Sequence, residues 1–199
     1  MDPYDPLIDL LAEDLDASFE ALVQGHEDRI YTIALRMLGD PRDAEEAAQD
    51  TFVRAYRALG AFDRERISEL RLRPWLATIA LNVCRSRLTG RKARPRASLS
   101  LDVELPGGLE PRAPEARGPA AIQASRDATA DWAALLMTIP STYRSPIVLR
   151  HVDGLSYPEL ALALDRPEGT VKAQVHRGLG LLRAAFESKH RRDHEEMTA

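Results

Sequence analysis

The sequence has little of what builds disulfides, metal centres and membrane spans. Its one cysteine, Cys84, can close no disulfide within the chain and cannot form a cysteine-based metal cluster. The five histidines are scattered, and none is spaced with a carboxylate as a metal-ligand motif would be. No nucleophile elbow and no phosphate-cradling glycine loop occurs. These absences argue against an enzyme and predict neither metal nor cofactor. No apolar run approaches a membrane span. The start, MDPYDPLIDLL, is acidic and lacks the basic first segment and small-residue cleavage site of a signal peptide. A cytoplasmic protein without membrane insertion is expected. Aromatic residues are only 6% of the 199, yet hydrophobic residues reach 44%, enough for a core in one domain or two small ones.

Positive charge is missing from the beginning and concentrated later. Residues 1–20 carry seven acids and no base, whereas residues 61–98 carry ten bases against three acids. The net charge of -4 therefore hides a basic block that a polyanion would find.

β-Strand alternation is not convincing anywhere, and helical spacing recurs. Residues 17–38 place Phe19, Leu22, Val23, Ile30, Ile33, Ala34 and Met37 on a helical stripe, with Gly25 a weak point. Asp40 can cap the next helix and Pro41 suits its first position. Asp43 favours the positive end of its dipole, and the helix should end near Leu59–Gly60. Pro74 should open a third helix through Leu88 or Thr89, stopped near Gly90. Residues 95–128 are rich in Pro and Gly without an apolar period. They read as a linker between two domains, the alternative being a long surface loop within one. Residues 127–137 and 141–152 should form helices separated by Ile139-Pro140.

The stretch GLSYPELALALDRPEGTVKAQVHRGLGLLR, Gly154 to Arg183, reads as helix, turn, helix. Ser156 and Glu159 make a capping box, and Pro158 is tolerated in the first turn. Leu160, Ala161 and Leu164 should face inward. Thr170 should cap or open the second helix, with Val171, Val175, Leu179 and Leu182 on its buried stripe. Its other face shows Lys172, Ala173, Gln174, His176 and Arg177, side chains suited to phosphates and base edges. The pattern also fits a plain helical hairpin with a solvated face.

The residues carry a resemblance. GLSYPELALAL and GTVKAQVHRGLGLLR resemble region 4, the promoter-reading domain, of extracytoplasmic-function (ECF) sigma factors. DAEEAAQDTFVRAYRALGAF, Asp43 to Phe62, resembles the region 2 helix with which that family docks on the polymerase clamp. Asp43, Glu46 and Asp50 share one helical face, with Gln49 beside them, while Phe52, Ala55, Tyr56 and Leu59 supply an apolar stripe. RPWLATIALNVCRSRLTGRKARPR, Arg73 to Arg96, resembles the −10 part of region 2. Leu76, Ile79, Ala80 and Val83 make its buried stripe, with Trp75, Thr78, Asn82, Arg85 and Ser86 on the other side. Arginines suit a melted backbone, and an asparagine can hydrogen-bond the edge of a flipped base.

The resemblance implies an all-α fold of two small helical domains joined by a flexible linker. Its segments would be an acidic N-terminal part (1–15), region 2 (16–95), linker (96–128), region 4 (129–186) and a tail (187–199). It also implies function. Core RNA polymerase would meet Asp43, Glu46, Gln49, Asp50 and Phe52. The −10 element would meet Trp75, Thr78, Asn82, Arg85, Ser86, Arg91, Lys92 and Arg94. The −35 element would meet Thr170, Lys172, Ala173, Gln174, His176 and Arg177. Many members are held inactive by an anti-sigma factor. In the family the linker enters the polymerase active-site cleft, here with Asp102, Glu104, Glu110 and Glu115. Trp75 can instead be a core or lid residue, and Cys84 reads as a packed small residue. Residues 1–16 have no clear family counterpart; they form either a tail or a small helix through Leu7, Ile8, Leu11 and Leu15. Departures from the pattern are Ala173 and Gln174, where Ser and Arg are frequent, Asp165, where Gly is common, and Ser86, where Asp or Asn is frequent. Gly178 and Gly180 should loosen the last helix, at about 1 kcal/mol each. The alternative function is a stand-alone helix-turn-helix regulator, which leaves Asp43–Phe62 and the basic block unexplained.

Overall fold

A computed structural model describes residues 6–93 and 132–197, with side chains described for residues 6–90 and 132–191. Among these residues every regular element is helical, and no helix is long and apolar enough to cross a membrane. The segment 96–128 read as a linker lies outside the described residues.

The first half holds α1 (Pro6–Glu13), α2 (Leu15–Leu38), α3 (Pro41–Gly60), α4 (Arg64–Ser68) and α5 (Leu72–Ala93). Of the two readings of the N-terminal segment, a helix is the one formed. α1 buries Leu11 and rests on α2 and α4. Asp14 caps α2 by accepting from the Ala17 N–H. The helix passes through Gly25 without a break and ends at Gly39, whose φ of +75° is the left-handed turn that glycine adopts without strain. Asp40 caps α3 as expected, accepting from the Asp43 N–H, with Pro41 at its start. The short α4, capped by Asp63, was not visible as a periodic segment.

Helix α5 departs from expectation at both ends. It begins two residues before Pro74 and runs past Gly90 to Ala93. It is also buried on more than the foreseen stripe. Leu76, Ala80 and Val83 are joined inside by Ala77, Leu81 and Cys84, because α2 and α3 cover one side of α5 and α8 covers another.

The second half holds α6 (helical at residues 132–138), α7 (Ser141–Ile147), a π-helical turn (Val148–Val152), α8 (Tyr157–Leu164) and α9 (Glu168–Met197). The expected 141–152 helix is thus α-helical only to Ile147. Pro146 has no N–H to donate within α7, and the turn that follows widens, with the Asp153 N–H bonded to the Val148 carbonyl. Ser156 and Glu159 form the expected capping box on α8. Asp165 ends that helix at φ +49°, the conformation that explains why glycine is usual there. Helix α9 starts at Glu168, before Thr170, and continues to Met197, within the segment read as a tail. Val171 and Val175 are buried as expected and Leu182 partly so, but Leu179 is exposed.

Nor does α9 break at its glycines. A Cβ on Gly178 would lie 2.6 Å from Ile147 Cδ1 and 3.2 Å from Tyr143 Cβ, so the missing side chain is what lets α7 pack on α9. Gly180 has nothing within 4 Å. The two glycines should therefore respond oppositely to alanine. Gly178→Ala should destabilise the fold by about 1 kcal/mol, overpacking outweighing the helix gain. Gly180→Ala should stabilise it by about 1 kcal/mol. Urea unfolding of both variants checks the pair; equal signs would contradict the packing account.

The two halves share a seam. The Asp153 carboxylate, fully buried, pairs with Arg29 of α2, and Arg29 Nη2 lies 2.7 Å from Asp153 Oδ2. Arg73 of α5 donates to the Asp153 carbonyl at 2.9 Å. Arg144 of α7 is buried among acceptors without a charge: Nη1 donates to the Met37 carbonyl at 2.7 Å and Nη2 to that of Ile139 at 3.0 Å. Those carbonyls end helices or begin breaks, where unpaired acceptors accumulate. Burial pushes the Arg144 pKa down, which the donated bonds oppose by favouring the cation.

Candidate nucleic-acid interface

Three surfaces carry the residues singled out from the sequence. The first is the outer face of α3. Glu46, Gln49 and Asp50 are exposed there, and Asp43 is half-buried in the first turn. Both Glu46 and Asp50 are bonded to Arg87 of α5, at 2.9 and 2.6 Å. These bonds hold the Arg87 pKa above its ordinary value. Phe52 is turned into the core, 8% exposed, where it packs α3. Tyr56, expected on the apolar stripe, is exposed instead. Its hydroxyl donates to Asp16 at 2.5 Å, and its ring meets the edge of Phe19. The Asp16 bond raises the Tyr56 pKa by stabilising the neutral donor.

The second surface is one edge of α5. Asn82 and Ser86 are exposed, the Ser86 hydroxyl donating back to the Asn82 carbonyl at 2.9 Å. Arg85 is half-buried, with Nη1 3.4 Å from Asn82 Oδ1. Burial lowers the Arg85 pKa, and the nearby Arg166 cation lowers it further. Trp75 lies in the first turns of α5. It is partly buried against the core and tilts on Phe62 at a centroid distance of 6.2 Å. Thr78 is also covered, its hydroxyl 2.8 Å from the Pro74 carbonyl and 3.2 Å from that of Ala163 in α8. The side chains of Arg91 and Lys92, and all of Arg94, lie outside the described residues. Cys84 is fully buried, and burial pushes its thiol up to about 12, so it stays neutral and serves as packing.

The third surface is the start of α9. Thr170, Lys172, Ala173, His176 and Arg177 are exposed on one side, opposite buried Val171 and Val175. Lys172 pairs with Glu168 at 2.6 Å, one turn back. Gln174 differs from its neighbours. It is half-buried and faces a cavity of about 220 Å³ at the seam, together with Arg85 and Arg166. The structure thus brings an α5 candidate and an α9 candidate to one place, while Asn82 and Ser86 stay on the α5 edge and Thr170, Lys172, Ala173, His176 and Arg177 on the α9 face.

Sequence reasoning missed Arg87, Arg29, Asp153 and Arg144. Each has partners on another helix, and helical spacing within one segment carries no signal for them.

Comparison with known proteins matches these surfaces to domains. Residues 22–94 match the family model "Sigma-70 region 2" and residues 130–182 match "Sigma-70, region 4". The chain is 35% identical over 173 residues to ECF RNA polymerase sigma factor SigW of Bacillus subtilis (strain 168), covering 85% of this chain and 89% of that one. Its fold is similar to CnrH, solved in complex with the cytosolic domain of CnrY, with TM-score 0.61 and 25% identity over 92% of this chain and 96% of that one. It is also similar in fold to the sigma factor RpoE of Bartonella quintana, solved with the anti-sigma factor NepR, with TM-score 0.60 and 19% identity over 85% and 96% of the two chains. A stand-alone helix-turn-helix regulator would account for the second domain match and not the first. With a helical domain of each kind in the order the family uses, the chain belongs to the ECF sigma factors of the sigma-70 family, which serve RNA polymerase in transcription initiation.

Proposed function

We propose that α3 docks this chain on core RNA polymerase, that the Asn82 edge of α5 reads and opens the −10 element, and that α9 lies in the major groove of the −35 element. The observation that carries this reading is the pairing of surfaces in the first half. An acidic exposed face on α3 lies against a helix whose free edge shows Asn82 and Ser86, with the half-buried Arg85 beside them. An acidic face suits a basic protein partner, and an Asn–Arg edge suits an unstacked base and its phosphates. On α9, Lys172, His176 and Arg177 are the exposed donors, with Thr170 and Ala173 at the groove-facing start. Gln174 joins them when the seam between the halves opens.

The chain then acts in the cytoplasm as a specificity subunit rather than as an enzyme, with promoter DNA and core polymerase as partners. The functional division is region 2 over 16–95, a linker over 96–128 and region 4 over 129–186. An anti-sigma factor, as NepR is for RpoE, is a further expected partner.

Asn82→Ala tests the reading. Asn82 is exposed, so its loss should leave the fold and core binding unchanged. Loss of a hydrogen bond pair to a flipped base should reduce open-complex formation about tenfold. Permanganate reactivity of the −10 thymines with the reconstituted holoenzyme measures this. Wild-type opening by the variant would remove Asn82 from the DNA-reading set.

A further inference from the structure

The acids of α3 do not stand alone at the surface. Arg87 of α5 lies beneath them, Nη1 donating to Glu46 Oε2 at 2.9 Å and Nη2 to Asp50 Oδ2 at 2.6 Å. Its side chain is 25% exposed, against 56% for Glu46 and 50% for Asp50, so the cation sits on the inner side and the carboxylates on the outer. One planar fork therefore holds two carboxylates one helical turn apart, each giving it one oxygen while remaining half open to solvent. A lysine ammonium is a point charge without that fixed fork.

We propose that Arg87 is a positioning residue for polymerase docking, pre-setting Glu46 and Asp50 so that basic groups of the partner meet carboxylates already ordered. This rests on α3 being the docking face. Two effects of Arg87 oppose each other. Its charge offsets part of the attraction of the face to a basic partner, but the cation lies on the inner side of the two carboxylates, farther from the partner than they are, so the offset is the smaller effect. Without the fork, both carboxylates regain rotamer freedom that docking must then remove, which is the larger effect. Ordering wins, and removing Arg87 weakens docking even though it makes the face more acidic.

The experiment is equilibrium binding of the full chain to purified bacterial core RNA polymerase across a salt series. Arg87→Met should bind about tenfold more weakly at moderate salt, with a steeper salt dependence because two acids are left unneutralised. Arg87→Lys, which keeps the charge and loses the fork, should also bind more weakly than wild type. In an E46Q/D50N background, adding Arg87→Met should change affinity no further. Wild-type affinity of Arg87→Met would overturn the proposal. So would an undiminished tenfold loss in the E46Q/D50N background, since Arg87 would then act through the fold. If E46Q/D50N itself binds core as wild type does, the docking reading fails and the proposal with it. If E46Q/D50N weakens binding and Arg87→Met does not, the docking reading stands and Arg87 alone is wrongly assigned.

Discussion

Asp50→Arg should lower the affinity of the chain for core polymerase about a hundredfold, or about 3 kcal/mol, while its helix content and unfolding midpoint stay close to wild type. Asp50 is half exposed at the centre of the α3 face, so an arginine can be accommodated there without disturbing the core. The reversal acts three times. It removes a carboxylate that a basic partner would meet, puts a like charge in its place, and repels Arg87, which then has Glu46 alone to hold. Buried interfacial charge pairs lose roughly 2–5 kcal/mol when one member is removed, whereas exposed ones lose less than about 1 kcal/mol, so the size of the loss also reports how far docking dries this face. A loss of twofold or less would place Asp50 outside the interface.

Asp153→Ala should separate the two halves rather than unfold them. Its carboxylate is fully buried and pairs with an Arg29 side chain that is itself only 17% exposed. Breaking such a pair while keeping the groups buried costs about 3–5 kcal/mol. The halves have another way out. Parting at the seam returns Arg29 to water, so the loss is limited to the free energy that docks one half on the other. Fluorescence energy transfer between dyes placed on α2 and α9 should fall, with circular dichroism unchanged. The exchange Arg29→Asp with Asp153→Arg should recover part of the transfer, because the pair is restored with its sign reversed. Undiminished transfer in Asp153→Ala would show that the apolar contacts hold the seam without this pair.

The helices were legible wherever chain-local chemistry sets them. Asp40, Ser156 with Glu159, Gly39 and the Ile139-Pro140 break stand where their capping or stopping roles require. Outcomes decided by neighbours were not legible. α5 is packed on more than one side, so a one-sided stripe undercounts its buried residues and misses the partial cover that α8 gives Thr78 and Phe62 gives Trp75. Gly178 reads as a helix weakness along the chain and is a packing contact across it. The candidate site divided the same way. Glu46, Asp50, Asn82, Lys172, His176 and Arg177 are exposed as their spacing implies. Phe52 is not, since it points to the core side of its helix. Arg87 lies 41 and 37 residues from the acids it holds, and Arg29 lies 124 from Asp153. No periodicity reaches across such separations.

The most direct test of a promoter-specificity subunit is reconstitution with core RNA polymerase, followed by run-off transcription on genomic DNA from the source of the chain. The chain should be retained by core, and the holoenzyme should start transcripts at discrete sites that share −10 and −35 sequences, starts which core alone does not make. A chain that ignores core polymerase and shifts duplex DNA by itself would contradict the account.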